Sequence, residues 1–258
     1  LKLKIQMSSW KGCPLSCLSF YLLSSTIQYL PDPDMVHVSA AAKRVNLTGQ
    51  TKMTKCPSAA VRKISADVVV EGIVNRLALE LDLNLAYHSQ AHTIDVIDET
   101  LSLAKLDGVD EDSLLRLAVA AAFHDAGFLA QRTDHEEIGA RMAAEAMSAD
   151  SRFKHADIDL VAKMILDTRV QPHGPMHRCT THLSPWLLDA DLANFGRQDF
   201  FRQTELIAEE MQVNITDMVS NTLDLMDRHS WQSPAGVKRF DAKKQENRSL
   251  LEQCLQKQ

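Results

Sequence analysis

From about Val61 onward, apolar residues return every third or fourth position, the period of helices that bury one face. Val69, Val70, Ile73, Val74, Leu77 and Leu79 outline a first amphipathic helix. A second is predicted over Thr93 to Leu106, with Ile94, Val96, Ile97, Leu101 and Leu103 apolar and Gly108 just past its end as a C-terminal cap. Asp110 or Asp112 can cap the next helix, whose apolar run Leu114 to Phe123 leads to His124-Asp125 and is predicted to stop at Gly127. Another begins at Asp134, with acids in its first turn where the helix dipole favours them. Further helices are predicted from Asp157 to about Asp167, Leu183 to Asn194, Asp199 to Met211, Ile215 to about Asp227 and Ala235 to Leu255. Gln171 to Thr181, holding Pro172, Gly174 and Pro175, reads as a loop. No run alternates at period two for long enough to make a strand, and no repeat is visible. The expected fold class is all-α.

Residues 1 to about 55 depart from this pattern. They are rich in Ser, Thr, Pro and Lys, and Pro31-Asp32-Pro33-Asp34 forces an extended linker. The apolar stretch Leu15 to Leu30 follows Lys2, Lys4 and Lys11, as in a signal peptide, but serines interrupt it too often for a membrane span. We read 1–55 as a poorly ordered or non-native leader, with a signal sequence and a small folded module as the other readings. Residues 56–230 form the main domain, and 231–258 a C-terminal helix packing on it. That last helix carries Lys238, Arg239, Lys243 and Lys244 and reads as a solvated face or partner contact.

The chain has 258 residues, enough to bury a full core without covalent staples. Its formal charge of -6 argues against a nucleic-acid polymer or an anionic membrane as partner, since both need a basic face. A small phosphorylated substrate held by a metal and a few local cations is compatible with it. Five widely spaced cysteines, an odd number, fit free thiols in a reducing compartment. The localisation expected is cytoplasmic, and a homo-oligomer is compatible with the composition.

The pair His124-Asp125 closes a run that otherwise reads as buried. An imidazole and a carboxylate there need a partner, and a metal ion satisfies both. His88 and His92 lie upstream and Asp189 and Asp191 downstream. Four residues apart on a helix, His88 and His92 would point the same way. If His92 binds metal, His88 lies where a leaving group would project, and histidine suits a proton donor near neutral pH. Asp189 and Asp191 are about 200° apart around a helix, so at most one faces the same ion. Mixed nitrogen and oxygen ligands without thiolate suit Mn, Fe, Co, Ni or Zn better than Mg alone.

Three pieces now carry a resemblance: Tyr87-His88-x-x-x-His92-Thr93, Phe123-His124-Asp125-x-Gly127-Phe128 and Asp189-Ala190-Asp191-Leu192-Ala193-Asn194. In that order they resemble the HD superfamily of metal-dependent phosphohydrolases, over roughly residues 60 to 212. The first and last pieces are similar to those of cyclic-nucleotide phosphodiesterases. The resemblance implies an HD-domain helical bundle. It implies His92, His124, Asp125 and Asp191 as metal ligands, Asp125 being catalytic as well, and His88 as the acid for the leaving group. His135 matches a histidine that serves a second metal in the HD-GYP branch. One divalent transition-metal ion is expected, with a second if His135 helps hold it. Ser89 stands where the phosphodiesterases have asparagine and Phe195 where they have proline, and no glutamine-clamped purine pocket is visible. Cyclic-nucleotide specificity is therefore not implied.

The expected activity is hydrolysis of a phosphomonoester or phosphodiester of a small nucleotide-like metabolite. Two other classes stay open: a di-iron oxygenase on the same fold, and a non-catalytic ligand-sensing module. His173, His177 and His182 crowd a loop that also holds Arg169 and Arg178. Arginine forks suit phosphate, so Arg169, Arg178 and the preceding Thr168 are the candidate substrate contacts.

Overall fold

The apolar periodicity becomes nine α-helices, with no strand among the described residues of the computed structural model, which cover 64–256. We number them α1 (Val68–Glu80), α2 (Gln90–Leu106), α3 (Glu111–Phe123), α4 (His135–Ser148), α5 (His155–Asp167), α6 (Ser184–Asp191), α7 (Phe200–Met211), α8 (Ile215–Arg228) and α9 (Pro234–Gln256). Two short 3-10 turns, Ala126–Leu129 and Ala193–Gly196, follow α3 and α6. The leader read over 1–55 lies outside the described residues. None of the described helices is long and apolar enough to cross a membrane.

Helix α3 is the hub. Leu114 and every residue from Leu117 to Phe123 are buried, because α2 covers one side and α5 another. A helix rich in Ala allows such close neighbours on several faces. Helix α4 pairs with α5, and α2 also meets α6. Local signals set the starts. Asp67, Ser89, Asp110 and Asn214 each occupy an N-cap, their side chains accepting from backbone N–H groups of the first turn. Gly108, at φ 80°, follows the end of α2.

Several predicted boundaries shift. Helix α2 begins at Gln90 rather than Thr93, because Ser89 caps it. Helix α3 stops at Phe123, before the His-Asp pair, and Gly127 falls inside the following 3-10 turn. Helix α5 begins at His155, two residues before Asp157, whose carboxylate reaches back to the Lys154 amide at 2.9 Å. The stretch Leu183 to Asn194 divides into α6 and a separate turn.

Two glycines let backbones approach where the His-Asp pair sits. A β-carbon at Gly127 would lie 2.0 Å from the His135 carbonyl oxygen, and one at Gly139 would lie 2.3 Å from that of Phe123. Both contacts draw the start of α4 against the end of α3. Gly139→Ala must push these segments apart, so a stability loss of about 1–3 kcal/mol is expected. Its chemical-denaturation midpoint checks this; an unchanged midpoint would show that the contact is not tight.

Helix α9 is polar over much of its length yet holds the turn after α6 in place. Asn247 donates to the carbonyls of Phe195 and Arg197 at 3.0 and 2.9 Å. Lys244, expected on a solvated face, is buried and donates to the His229 carbonyl at 2.7 Å. The orphan carbonyls of an irregular segment need donors, and these two side chains supply them.

Candidate metal centre

The first turn of α2, the end of α3 and the end of α6 bring His92, His124, Asp125 and Asp191 together. His92 Nε2 lies 3.5 Å from Asp125 Oδ2 and 3.4 Å from Asp191 Oδ1. His124 Nε2 lies 3.1 Å and 3.5 Å from the same two oxygens. One ligand atom each from His92, His124 and Asp191 falls within 4.8 Å of the others. Metal–ligand bonds of about 2.0–2.2 Å at right or tetrahedral angles would place neighbouring donors on the order of 3.0–3.5 Å apart. The observed spacings match that range.

Hydrogen bonds do not account for this arrangement. His92 Nε2, His124 Nε2 and Asp125 Oδ2 are all buried without a hydrogen-bond partner. The His124 tautomer is fixed from behind, since Nδ1 can only donate to the Ala121 carbonyl 2.7 Å away. In neutral imidazole the lone pair is then on Nε2, facing carboxylate oxygens. Only a proton or a cation makes that attractive. Burial works against a charged His124, and the Asp125 and Asp191 carboxylates outweigh it, raising its pKa well above the usual value. Burial likewise opposes ionised Asp191, and the facing imidazoles of His124 and His92 outweigh it and carry its pKa below the ordinary range. The residues present fit a divalent ion: two imidazoles, two carboxylates and three unpartnered donor atoms around one point.

His135 sits at the edge of the cluster. Its Nε2 is 3.4 Å from the other oxygen of Asp125, Oδ1, and 3.7 Å from Glu136 Oε1. Its Nδ1 donates to the Arg132 carbonyl at 2.9 Å, leaving Nε2 turned toward Asp125. The two oxygens of Asp125 therefore face different histidines. Asp189 turns away: it is buried and accepts from the amides of Gln232 and Ser233 and from the Ser233 hydroxyl, at 2.6–2.8 Å, at the start of α9.

His88 stands apart from helix α2. It precedes the capping Ser89, so the helical i, i+4 relation to His92 fails, although the two rings lie 6.0 Å apart. Glu210, near the end of α7, orients it. Glu210 Oε2 accepts from the backbone N–H groups of Tyr87 and His88, both at 2.9 Å, while Oε1 lies 2.6 Å from His88 Nδ1. Arg132 reaches the same carboxylate at 3.0 Å. Burial would raise the Glu210 pKa; the His88 and Tyr87 hydrogen bonds outweigh it and bring it down to about 2. Phe128 stacks on the His88 ring at 4.6 Å and touches the His135 ring at 4.2 Å. Glu210 lies 122 positions from His88, and nothing in the chain's periodicity points to it.

The candidate substrate contacts are spread out. Thr168 ends α5 and its hydroxyl donates to the Ile165 carbonyl at 2.7 Å. Arg169 lies among acids, 3.3 Å from Asp134, 3.3 Å from Glu136 and 3.2 Å from Glu137. Its fork is thus occupied by carboxylates at the start of α4. Arg178 is exposed. Of the three loop histidines, His173 and His182 are exposed and His177 turns inward.

No protein-family model, no curated protein and no solved structure matches this chain.

Proposed function

We propose that this chain is an HD-type, metal-dependent phosphohydrolase that cleaves a phosphoester of a small nucleotide-like metabolite. The observation that carries the reading is the meeting of His92, His124, Asp125 and Asp191, with three of their donor atoms buried and unpartnered. The order of the three motif pieces supports it independently. A divalent cation bound by these four residues supplies a water of near-neutral pKa and positive charge for the phosphoryl oxygens. A second ion would find Asp125 Oδ1 and His135 Nε2 already facing one another. His88 serves as the proton donor. With Nδ1 held by Glu210, its Nε2 is the nitrogen left to hand a proton to the departing oxygen. Phe128 keeps that ring in one plane.

The test is phosphate release from nucleotides, cyclic nucleotides and sugar phosphates, with Mn, Ni, Co, Zn, Fe or Mg supplied and Asp125→Ala as blank. Turnover above the blank with at least one metal is expected. Metal-loaded protein that releases phosphate from none of them would reject the reading. An iron-loaded, coloured protein that consumes oxygen instead would favour the oxygenase alternative.

A further inference from the structure

The end of α6 carries two carboxylates with different duties. Asp191 faces His92 and His124 through Oδ1, at 3.4 and 3.5 Å. Asp189, two residues earlier in the same last turn, is wholly buried. Three donors meet it, all from the two residues that lead into α9. Asp189 Oδ1 accepts from the Gln232 amide at 2.7 Å, and Oδ2 accepts from the Ser233 amide at 2.8 Å and the Ser233 hydroxyl at 2.6 Å. That hydroxyl in turn accepts from the Gly236 amide at 3.0 Å, in the first turn of α9. The fit leaves no slack, since a β-carbon on Gly236 would lie 2.1 Å from Asp189 Oδ2. On the other side of Asp191, α9 takes hold again: Asn247 donates to the carbonyls of Phe195 and Arg197, in and just after the 3-10 turn. Asp191 therefore sits between two anchors along the chain, and α9 supplies both.

A buried carboxylate is a costly way to join two helices, because apolar residues of like volume often pack as well or better. What it adds is direction. Three hydrogen bonds in fixed geometry hold a helix end where an apolar contact would let it slide. The metal centre needs that precision: its donor atoms approach one another to 3.1–3.5 Å, and ligand positions must hold to about 0.5 Å. Helix α6 has only eight residues, so a shift at Asp189 is passed on to Asp191 almost whole.

We propose that Asp189 is a positioning residue through which the docking of α9 sets the metal affinity of Asp191, so that ion binding and the seating of α9 are linked. The inference rests on the metal centre of the hydrolase reading above and not on its phosphoester chemistry. Linkage makes the effect mutual: whatever factor the Asp189–Ser233 latch adds to metal affinity, the ion adds to closure of the latch.

The test is the zinc affinity of the full chain, measured by competition with a chromophoric chelator. Gly236→Ala pushes Asp189 Oδ2 off its donors without touching the four candidate ligands, and is expected to weaken zinc by about 10–100-fold, the usual cost of losing a supporting group. Ser233→Ala removes one of the three donors; as the gentler change, it is expected to weaken zinc severalfold. Asn214→Ala removes the N-cap of α8 and serves as control: it lowers the denaturation midpoint and leaves zinc affinity alone. In amide exchange read by mass spectrometry, zinc is expected to slow the segment 230–236 by about tenfold or more in the wild type, and not in Asp125→Ala. Zinc bound as tightly by both latch variants as by the wild type overturns the proposal. So does equal weakening in Asn214→Ala, or exchange at 230–236 that zinc leaves unchanged. A chain that binds no zinc removes the metal centre and this proposal together, whereas the expected zinc results without turnover on any phosphoester reject the hydrolase reading alone.

Discussion

Asp125→Ala is expected to remove bound metal and hydrolysis together. Asp125 is the side chain through which the centre is joined: one oxygen approaches His92 and His124, the other His135. Replacing it removes one ligand and one negative charge and leaves His92, His124 and Asp191 as a smaller set, which is expected to bind a divalent ion too weakly to retain it through dialysis. Loss of a first ligand should exceed the roughly 10–100-fold loss in affinity typical of removing a group that merely supports one. Metal content per chain after dialysis, read by mass spectrometry beside phosphate release, checks both halves. Asp125→Asn keeps the shape and removes the charge, so it separates packing from ligation. Retained helical circular dichroism with lost metal is the expected pattern for both variants. An Asp125→Ala protein that keeps a full complement of ion would remove this residue from the ligand set and with it the central geometry.

The helices were legible because their causes are local. Spacing of apolar residues located the buried faces, and Asp110 announced a start that its side chain makes by accepting from the Ser113 amide. Boundaries near the site were harder for a physical reason. The alanine run toward Phe123 has the propensity to continue, and what ends α3 is tertiary: the turn at Gly127 packs against the His135 backbone from another helix. Ser89 looked like a departure from a motif, yet serine and asparagine both cap helices well. Read as a cap, it would have placed His88 outside α2. The four clustered candidate ligands could be proposed from chain order and residue type. Their helper residues could not. Glu210 reaches His88 across 122 positions, and Arg169 is drawn to three acids more than 30 positions away. Such pairings leave no periodic trace, because one long-range contact constrains only the two residues that make it. His177 sat among three similar histidines, and only the staple of its loop to Arg228 turns it inward.

His88→Ala is expected to lower turnover of an alkyl phosphoester by about 10²–10⁴-fold, the usual worth of a positioned proton donor, while leaving metal content nearly unchanged. The reason lies in what His88 touches. Its Nδ1 is held by Glu210, its ring by Phe128, and it takes no part in the group around His92 and His124. A p-nitrophenyl ester tests the role more sharply than a single rate, since that leaving group departs readily as an anion and has little need of a proton. The variant should therefore recover most of its deficit on the p-nitrophenyl substrate. Glu210→Gln should follow the same pattern more weakly, because the amide can still face Nδ1 but no longer places a negative charge behind the ring. Its loss should fall on kcat rather than KM, and again chiefly on the alkyl ester. Equal losses on both substrates would mean that His88 acts before the bond breaks, in binding or in shaping the site, and the acid assignment would fail even if the metal centre stood.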